Sequence, residues 1–334
     1  MAEKSKRDSD APPPSSERSL PGADRQAGNT REKIESLGKK KGLYPMGERF
    51  DMEAGKEHLS KGAADFLREH PIMQEVLKDL YEYDACSYIH TVQMLNEGVA
   101  IMNENGEAIK DLIIKKKRER ADTRFDFPEE EFRVIFLGAI VFHDWGKIKV
   151  DSGILNAPER LKGKKLEQMR KHPMETLKLL VSRILGKPRG EGVIASKATI
   201  ADVLSQTGFS EKKGLLQIAY AAVSHHRYEK SIKGGFDYPS LAEIEAILPD
   251  YQEWFNAYGE ELATVLAILD INDAMRSKRP YKEGLTKEGA EGELEKTFLI
   301  SEENKTKYGT TIATILEQWR RMTGANKYTA QRDD

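Results

Sequence analysis

Five of the seven histidines and two of the aspartates in this chain form an ordered series of side chains that can bind metal ions. In chain order the series is His90, His143, Asp144, His172, His225, His226 and Asp270. Imidazoles and carboxylates are ligands that borderline divalent cations accept. Seven such ligands are more than one cation needs, but they suit two cations that share a bridging carboxylate. Paired cations of this kind hydrolyse phosphate esters, so the series favours a binuclear hydrolase.

Helices are the elements predicted to position these ligands. An almost wholly apolar run, 132–142, predicts a buried helix that ends at His143 and Asp144. Apolar residues at helical spacing between Cys86 and Asn103 predict another helix, which carries His90. A charged helix is expected over 107–121, and further helices at about 164–185, 194–206, 211–228, 240–249, 251–276, 286–297 and 306–323. No alternating run indicates a strand, so the predicted fold class is all-α, a helical bundle with a buried binuclear metal site.

Composition limits the classes of protein that fit. Charged residues make up 32% of the 334 residues and the formal net charge is -2, which argues against a general nucleic-acid binder. With one cysteine, Cys86, no intramolecular disulfide can form, and a reducing compartment fits best. No apolar run has the length of a membrane span. These features predict a cytoplasmic protein without a membrane span.

The chain divides by composition into several segments. Residues 1–45 are rich in Pro, Ser, Gly and charge, so we expect a disordered N-terminal tail. A helical N-terminal extension is predicted over 46–83, with Ser60 as an N-cap. Residues 84–300 contain all seven candidate ligands and form the predicted catalytic domain. Residues 301–334 are predicted to form a C-terminal helix and tail.

The motifs around the ligands resemble the HD superfamily of metal-dependent phosphohydrolases. The finer resemblance is to its HD-GYP branch, which are bacterial phosphodiesterases that act on cyclic di-GMP. The resemblance covers roughly residues 84–300, and its combined motifs are highly specific. The matching stretches are 88–92 (YIHTV), 143–147 (HDWGK), 154–161 (ILNAPERL), 169–173 (MRKHP), 225–226 (HH), 270–275 (DINDAM) and 279–282 (RPYK).

The resemblance implies a role for each residue of the site. One metal would be held by His90, His143 and Asp270, the other by His172, His225 and His226, and both by Asp144. The implied catalytic residues are Asp144 and Lys147. The implied substrate-binding residues are Lys147, Tyr238, Arg279 and Lys282. Asp273, three residues after Asp270, lies on the same helix face and is expected to orient a ligand.

The resemblance also implies the cofactors and the reaction. Two divalent transition metals are expected, with iron or manganese first and with magnesium, nickel, cobalt or zinc also compatible. The expected activity is hydrolysis of cyclic di-GMP to pGpG or GMP by a metal-bridged hydroxide. The expected partner is therefore a small-molecule nucleotide substrate. The sequence leaves the oligomeric state open.

Three departures from the branch leave the substrate open. Arg227 follows the histidine pair where the branch usually has glutamate, and Asp237 replaces the glycine before Tyr238-Pro239 in a longer loop. Cys86 stands where some members carry a glutamate that binds a third metal, so two metals are expected. Another phosphohydrolase of the HD superfamily is therefore an alternative. A di-iron oxygenase of the same fold and a non-catalytic nucleotide-binding module are further alternatives, which the intact ligands and phosphate-binding motifs disfavour.

Overall fold

A computed structural model describes residues 58–118, 128, 131–186, 211–227, 238–277, 284–299 and 301–325. Within these ranges every regular element is a helix, which confirms the predicted all-α class. Four sequence predictions lie outside the described residues. They concern the tail at 1–45, the helix at 194–206, the loop that contains Asp237, and the substrate contacts Arg279 and Lys282.

The described helices are numbered here in chain order. The first seven are α1 (Lys61–Glu69), α2 (Pro71–Tyr83), α3 (Ala85–Arg118), α4 (Phe132–Phe142), α5 (Ser152–Leu155), α6 (Gly163–Met169) and α7 (His172–Ile184). The others are α8 (Glu211–Ser224), α9 (Leu241–Glu245), α10 (Tyr251–Trp254), α11 (Glu260–Arg276), α12 (Lys287–Phe298) and α13 (Glu302–Ala325). A 3-10 helix, Trp145–Lys149, follows α4, and a π-helical turn, Phe255–Gly259, joins α10 to α11.

The centre of the fold is α4. Nine of its eleven residues are buried, as the apolar run predicts, and it packs against α3 and α8. It begins at Phe132 and ends at Phe142, immediately before the first pair of candidate ligands. In addition, α7 contacts α8 and the 3-10 helix, and α11 contacts α3. Five helices therefore meet around one region: α3, α4, α7, α8 and α11.

One predicted interruption between helices is confirmed and another was missed. The helices expected over 86–103 and 107–121 both lie within α3, as far as Arg118, and a kink at Asn105 with a non-helical backbone (φ -137°, ψ 22°) separates them. The single helix expected over 164–185 is divided into α6 and α7. Pro173 explains the division, because it has no N–H to donate to the carbonyl of Met169, four residues earlier. A proline in the first turn then suits the start of a new helix, α7.

The predicted N-terminal extension is described from residue 58 onwards, and this part is helical. Ser60 caps α1, and its hydroxyl accepts a hydrogen bond from the Ala63 N–H at 3.2 Å. Helices α1 and α2 both pack against α3, which carries His90. None of the described helices has the length and apolar character needed to cross a bilayer.

Candidate metal centre

The structure brings all seven predicted ligands together, in two groups. His90, His143 and Asp144 form the first group, and His172, His225 and His226 form the second; within each, the candidate ligand atoms lie within 4.8 Å of one another. The seventh ligand belongs beside the first group, because Asp270 Oδ1 lies 3.1 Å from His90 Nε2. This division is the one that the family resemblance implies. Metal binding by these residues stays a prediction.

Hydrogen bonds at helix ends fix three of the histidine rings. His143 Nδ1 lies 2.7 Å from the Ile140 carbonyl, and His225 Nδ1 lies 2.6 Å from the Ala222 carbonyl. Both carbonyls belong to the last turn of a helix, where backbone acceptors have no intrahelical donor. His172 Nδ1 lies 2.7 Å from the Met169 carbonyl, which Pro173 leaves without its usual donor. Since carbonyls only accept, each Nδ1 carries the proton and each Nε2 presents a lone pair.

The distances between the Nε2 atoms of the histidines fit metal ligation. His90 Nε2 lies 3.2 Å from His143 Nε2, and His172 Nε2 lies 3.2 Å from His225 Nε2. Metal–nitrogen bonds of about 2.0–2.1 Å that meet at roughly 90–110° place two ligand atoms about 2.9–3.4 Å apart. Buried ring nitrogens that face each other at this distance need a shared proton or a cation between them. The residues present therefore fit two metal ions.

Asp144 lies between the two groups and faces both. Its Oδ1 lies 3.1 Å from His172 Nε2, while its Oδ2 lies 3.2 Å from His143 Nε2 and 3.6 Å from His90 Nε2. Only 2% of the side chain is exposed, so water cannot compete for either oxygen. The carboxylate thus offers one oxygen to each group, as a bridging ligand requires.

The electrostatic environment keeps the ligands in the charge states that metals bind. Burial would raise the pKa of Asp144, but neighbouring His143 and Lys147 hold that pKa well below its usual range. Burial also opposes ionisation of Asp270, but the hydrogen bond from His90 outweighs it and lowers the pKa. Both carboxyl groups are therefore ionised at neutral pH.

The histidines divide according to the charges around them. Burial is the main cause that lowers the pKa of His225 well below its usual range and the pKa of His226 to about 3, and neighbouring imidazoles add to the effect. These two rings are therefore neutral, as ligation requires. Burial acts in the same direction on His90, but hydrogen bonds to Asp270 and Asp273 raise its pKa to about 10. A cation bound at the first group would replace a proton on His90.

Lys147 lies on the 3-10 helix, where its ammonium pairs with Oδ2 of Asp144. The predicted substrate contact is therefore placed at the centre, with 20% of its side chain exposed. The neighbouring Gly146 allows this turn to approach α7 closely, and its N–H donates to Thr176 Oγ1 at 2.7 Å. Thr176 also donates to the His143 carbonyl at 3.2 Å. Its hydroxyl therefore links α7, which begins at His172, to the end of α4, which is followed by His143.

Asp273, which is predicted to orient a ligand, contacts His90. Its Oδ2 accepts from His90 Nδ1 at 2.6 Å and from the Ser277 hydroxyl at 3.2 Å, which directs His90 Nε2 towards the first group. We expect Asp273→Ala to weaken the binding of one metal ion by roughly 10- to 100-fold, because a ligating histidine loses its orienting acceptor. Competition with a fluorescent chelator measures this constant.

The matched control for that substitution is Asp65→Ala. Asp65 pairs with Arg68 on the surface of α1, where exposed ion pairs contribute little. The control should leave both metal constants unchanged. Equal metal affinity in the Asp273 variant and in its control would contradict the orienting role.

Buried polar contacts that support the centre were missed at the sequence level. Glu97, two turns after His90 on α3, accepts from Arg276 and, at 3.3 Å, from Asn272 Nδ2, which fastens α11 to α3. Burial raises the pKa of Glu97, and the nearby Arg276 opposes that rise. The only sequence signal is the helical spacing of Glu97 from His90, which does not identify its partners.

The residue after the histidine pair is also part of the framework. Arg227 is 2% exposed, its Nη1 donates to the Pro239 carbonyl at 2.7 Å, and its guanidinium lies 5.6 Å from the centre of the Tyr251 ring. The Ser224 hydroxyl lies 2.7 Å from the Tyr251 hydroxyl on the other side of the pair. These contacts hold the end of α8 against the aromatic core. The departure at Arg227 is therefore a structural contact between two segments.

Tyr238 contacts a ligand directly. Its ring stacks on the His226 ring, with centroids 4.5 Å apart and an interplanar angle of 28°. Tyr238 is also a predicted substrate contact. The guanidinium carbon of Arg170 lies 5.4 Å from the centre of its ring. Cys86, one turn before His90, is exposed and belongs to neither group of ligands found among the described residues.

Comparison with known proteins gives one informative similarity. No protein-family model matches the chain. The chain is 28% identical over 162 residues to the cyclic di-GMP phosphodiesterase response regulator RpfG of Xanthomonas campestris pv. campestris (strain 8004). The alignment covers 48% of this chain and 31% of that protein, so the chain spans less than a third of its relative. The similarity agrees with the HD-GYP resemblance of the motifs and supports a hydrolase that depends on metal.

Proposed function

We propose that this chain is a metal-dependent phosphodiesterase that hydrolyses a cyclic dinucleotide, cyclic di-GMP, to pGpG or GMP. The observation that carries the proposal is the pair of ligand groups joined by Asp144, whose two oxygens lie 3.1 Å from His172 and 3.2 Å from His143. The similarity to a cyclic di-GMP phosphodiesterase supports the choice of substrate.

Each part of the chain has a defined task in this reaction. Two divalent cations, when bound, lower the pKa of a water molecule and stabilise the negative charge on phosphorus-bound oxygens. Asp144 keeps the two groups in register, and Asp273 keeps His90 turned towards the first. Lys147 supplies a positive charge next to Asp144, where it can neutralise charge that develops on the phosphate. The apolar shell of α4 and α8 excludes bulk water from beneath the ligands.

A second candidate is hydrolysis of another nucleotide or phosphate ester at the same centre. The observation that favours it is the burial of Arg227, which stands at the position of the branch's usual glutamate and binds the Pro239 carbonyl. Since this guanidinium is buried against a backbone carbonyl, the position beside the histidine pair lacks the carboxylate that the branch usually has there. The chemistry would stay the same, and the recognition of the base would differ.

A substrate panel separates the two candidates. Protein loaded with Mn²⁺ or Fe²⁺ is incubated with cyclic di-GMP, with other cyclic di- and mononucleotides and with a chromogenic phosphodiester, and products are separated by chromatography. We expect release of pGpG or GMP from cyclic di-GMP, about two metal ions per chain, and loss of both in the His143→Ala, Asp144→Ala double variant. Turnover of other esters alone would exclude the cyclic di-GMP assignment and keep the phosphohydrolase. Active protein with one metal ion or none would exclude the binuclear centre.

A further inference from the structure

His226 is positioned differently from the other histidines of the centre. The rings of His90, His143, His172 and His225 each place Nδ1 within 2.7 Å of a carboxylate or carbonyl oxygen. Within the part of the chain that the structure describes, the ring of His226 makes no hydrogen bond. A ligating histidine ordinarily depends on such an acceptor for its orientation, so another contact must orient this ring.

The available contact is a stack of three planar groups. The Tyr238 ring covers the His226 ring at 4.5 Å, and Arg170 places its guanidinium over the Tyr238 ring. Aromatic stacking and a cation over a ring both restrict rotation of the groups involved. The other neighbours of His226 are the rings of His225, at 4.0 Å, and His172, at 5.2 Å. Tyr238 is therefore the non-ligand side chain against which the His226 ring is set.

Arg170 and Tyr238 are both attached to the second ligand group. Arg170 follows Met169, whose carbonyl accepts from His172 Nδ1. Tyr238 precedes Pro239, whose carbonyl accepts from Arg227, the residue directly after His226. The stack thus joins the segment before α7 to the segment after α8 at the place where their ligands meet.

We infer that Tyr238, covered by Arg170, is a positioning residue that sets the His226 ring for the second metal ion. The inference rests on the proposed metal centre. It extends that proposal by naming the side chain that orients His226, whose ring has no hydrogen-bonded acceptor among the described residues. It also makes the two metal sites unequal. Among the described residues, the first group is oriented by carboxylate and carbonyl acceptors, whereas His226 in the second group is oriented by stacking.

The test compares Tyr238→Leu with Tyr238→Phe by competition between the whole protein and a fluorescent chelator for Zn²⁺ or Co²⁺. Leucine removes the planar surface, whereas phenylalanine keeps it. We expect the leucine variant to weaken one of the two metal dissociation constants by roughly 10- to 100-fold, and the phenylalanine variant to keep both. The affected constant should be the one that Asp273→Ala leaves unchanged. Arg170→Gln, which removes only the cation, should weaken the same constant by a smaller factor.

The outcomes are distinguishable. Thermal unfolding in the presence of EDTA shows whether the leucine variant folds, and the Arg170→Gln variant provides the same test if it does not. If both metal dissociation constants are unchanged in the leucine and glutamine variants, the inference is overturned and the proposed function is not. The same holds if the Michaelis constant rises while both metal dissociation constants stay the same. Wild-type protein that binds fewer than two ions would overturn the binuclear centre and the inference with it.

Discussion

Asp144→Asn is expected to lower the phosphodiesterase rate by at least about a thousandfold and to leave no more than one tightly bound metal ion per chain. The carboxylate offers an oxygen to each ligand group, 3.1 Å from His172 and 3.2 Å from His143. An amide has only one oxygen, and its NH₂ group directs two hydrogens at a position that needs a lone pair. The substitution also removes the negative charge that pairs with the partly buried ammonium of Lys147.

Metal analysis after dialysis and single-turnover rates with saturating metal check this result. Asp65→Asn is the matched control, because it makes the same chemical change in an exposed ion pair on α1. The control should keep two metal ions and the wild-type rate. Retention of two tightly bound ions in the Asp144 variant would mean that this carboxylate does not bridge the groups.

Gly146→Ala is expected to lower the free energy of unfolding by about 3 kcal/mol. A Cβ atom at this position would lie 2.0 Å from the His172 carbonyl oxygen and 2.5 Å from the Thr176 amide nitrogen. Both are backbone atoms of α7, so no side-chain rotation can relieve the clash, and the 3-10 helix must move away from α7. This movement would separate His172 from Asp144, so the variant should also lose metal.

Urea denaturation of metal-free protein measures the effect without any contribution from bound ions. Gly292→Ala is the control, because the added Cβ on α12 meets no atom within 4 Å. Alanine is favoured over glycine within a helix by roughly 0.5–1 kcal/mol, so the control should be slightly stabilised. If both variants unfold at the same urea concentration, the close approach at Gly146 has no energetic importance.

The sequence predicts the fold where its pattern is local. The apolar run at 132–142 has no polar face, and burial on all sides is the only way to accommodate it, so the prediction of α4 holds. The division of the predicted 164–185 helix was missed because the apolar spacing continues through it. Pro173 was the available signal, since it removes one donor from the helix ladder.

The residues of the candidate site can be predicted from the sequence, but the orientation of their rings cannot. Residue types indicate the seven candidate ligands, which the structure brings together, because histidines and aspartates combined in these motifs are typical of metal sites. The sequence does not show which ring nitrogen faces the centre, since that depends on carbonyls that a helix end leaves without donors. The contacts of Glu97 with Arg276 and of Tyr238 with His226 join residues that are not neighbours in the sequence, and no local pattern encodes them.

The bonds from ring nitrogens to the last carbonyls of α4 and α8 make helix length part of the metal geometry. One residue more or less in either helix would turn the ligand that follows it by about 100° around the helix axis and shift it by about 1.5 Å. The ring would then face the apolar core, away from the centre. Insertions and deletions that preserve function should therefore fall between helices, and the lengths of α4 and α8 should be fixed in any protein that uses this centre.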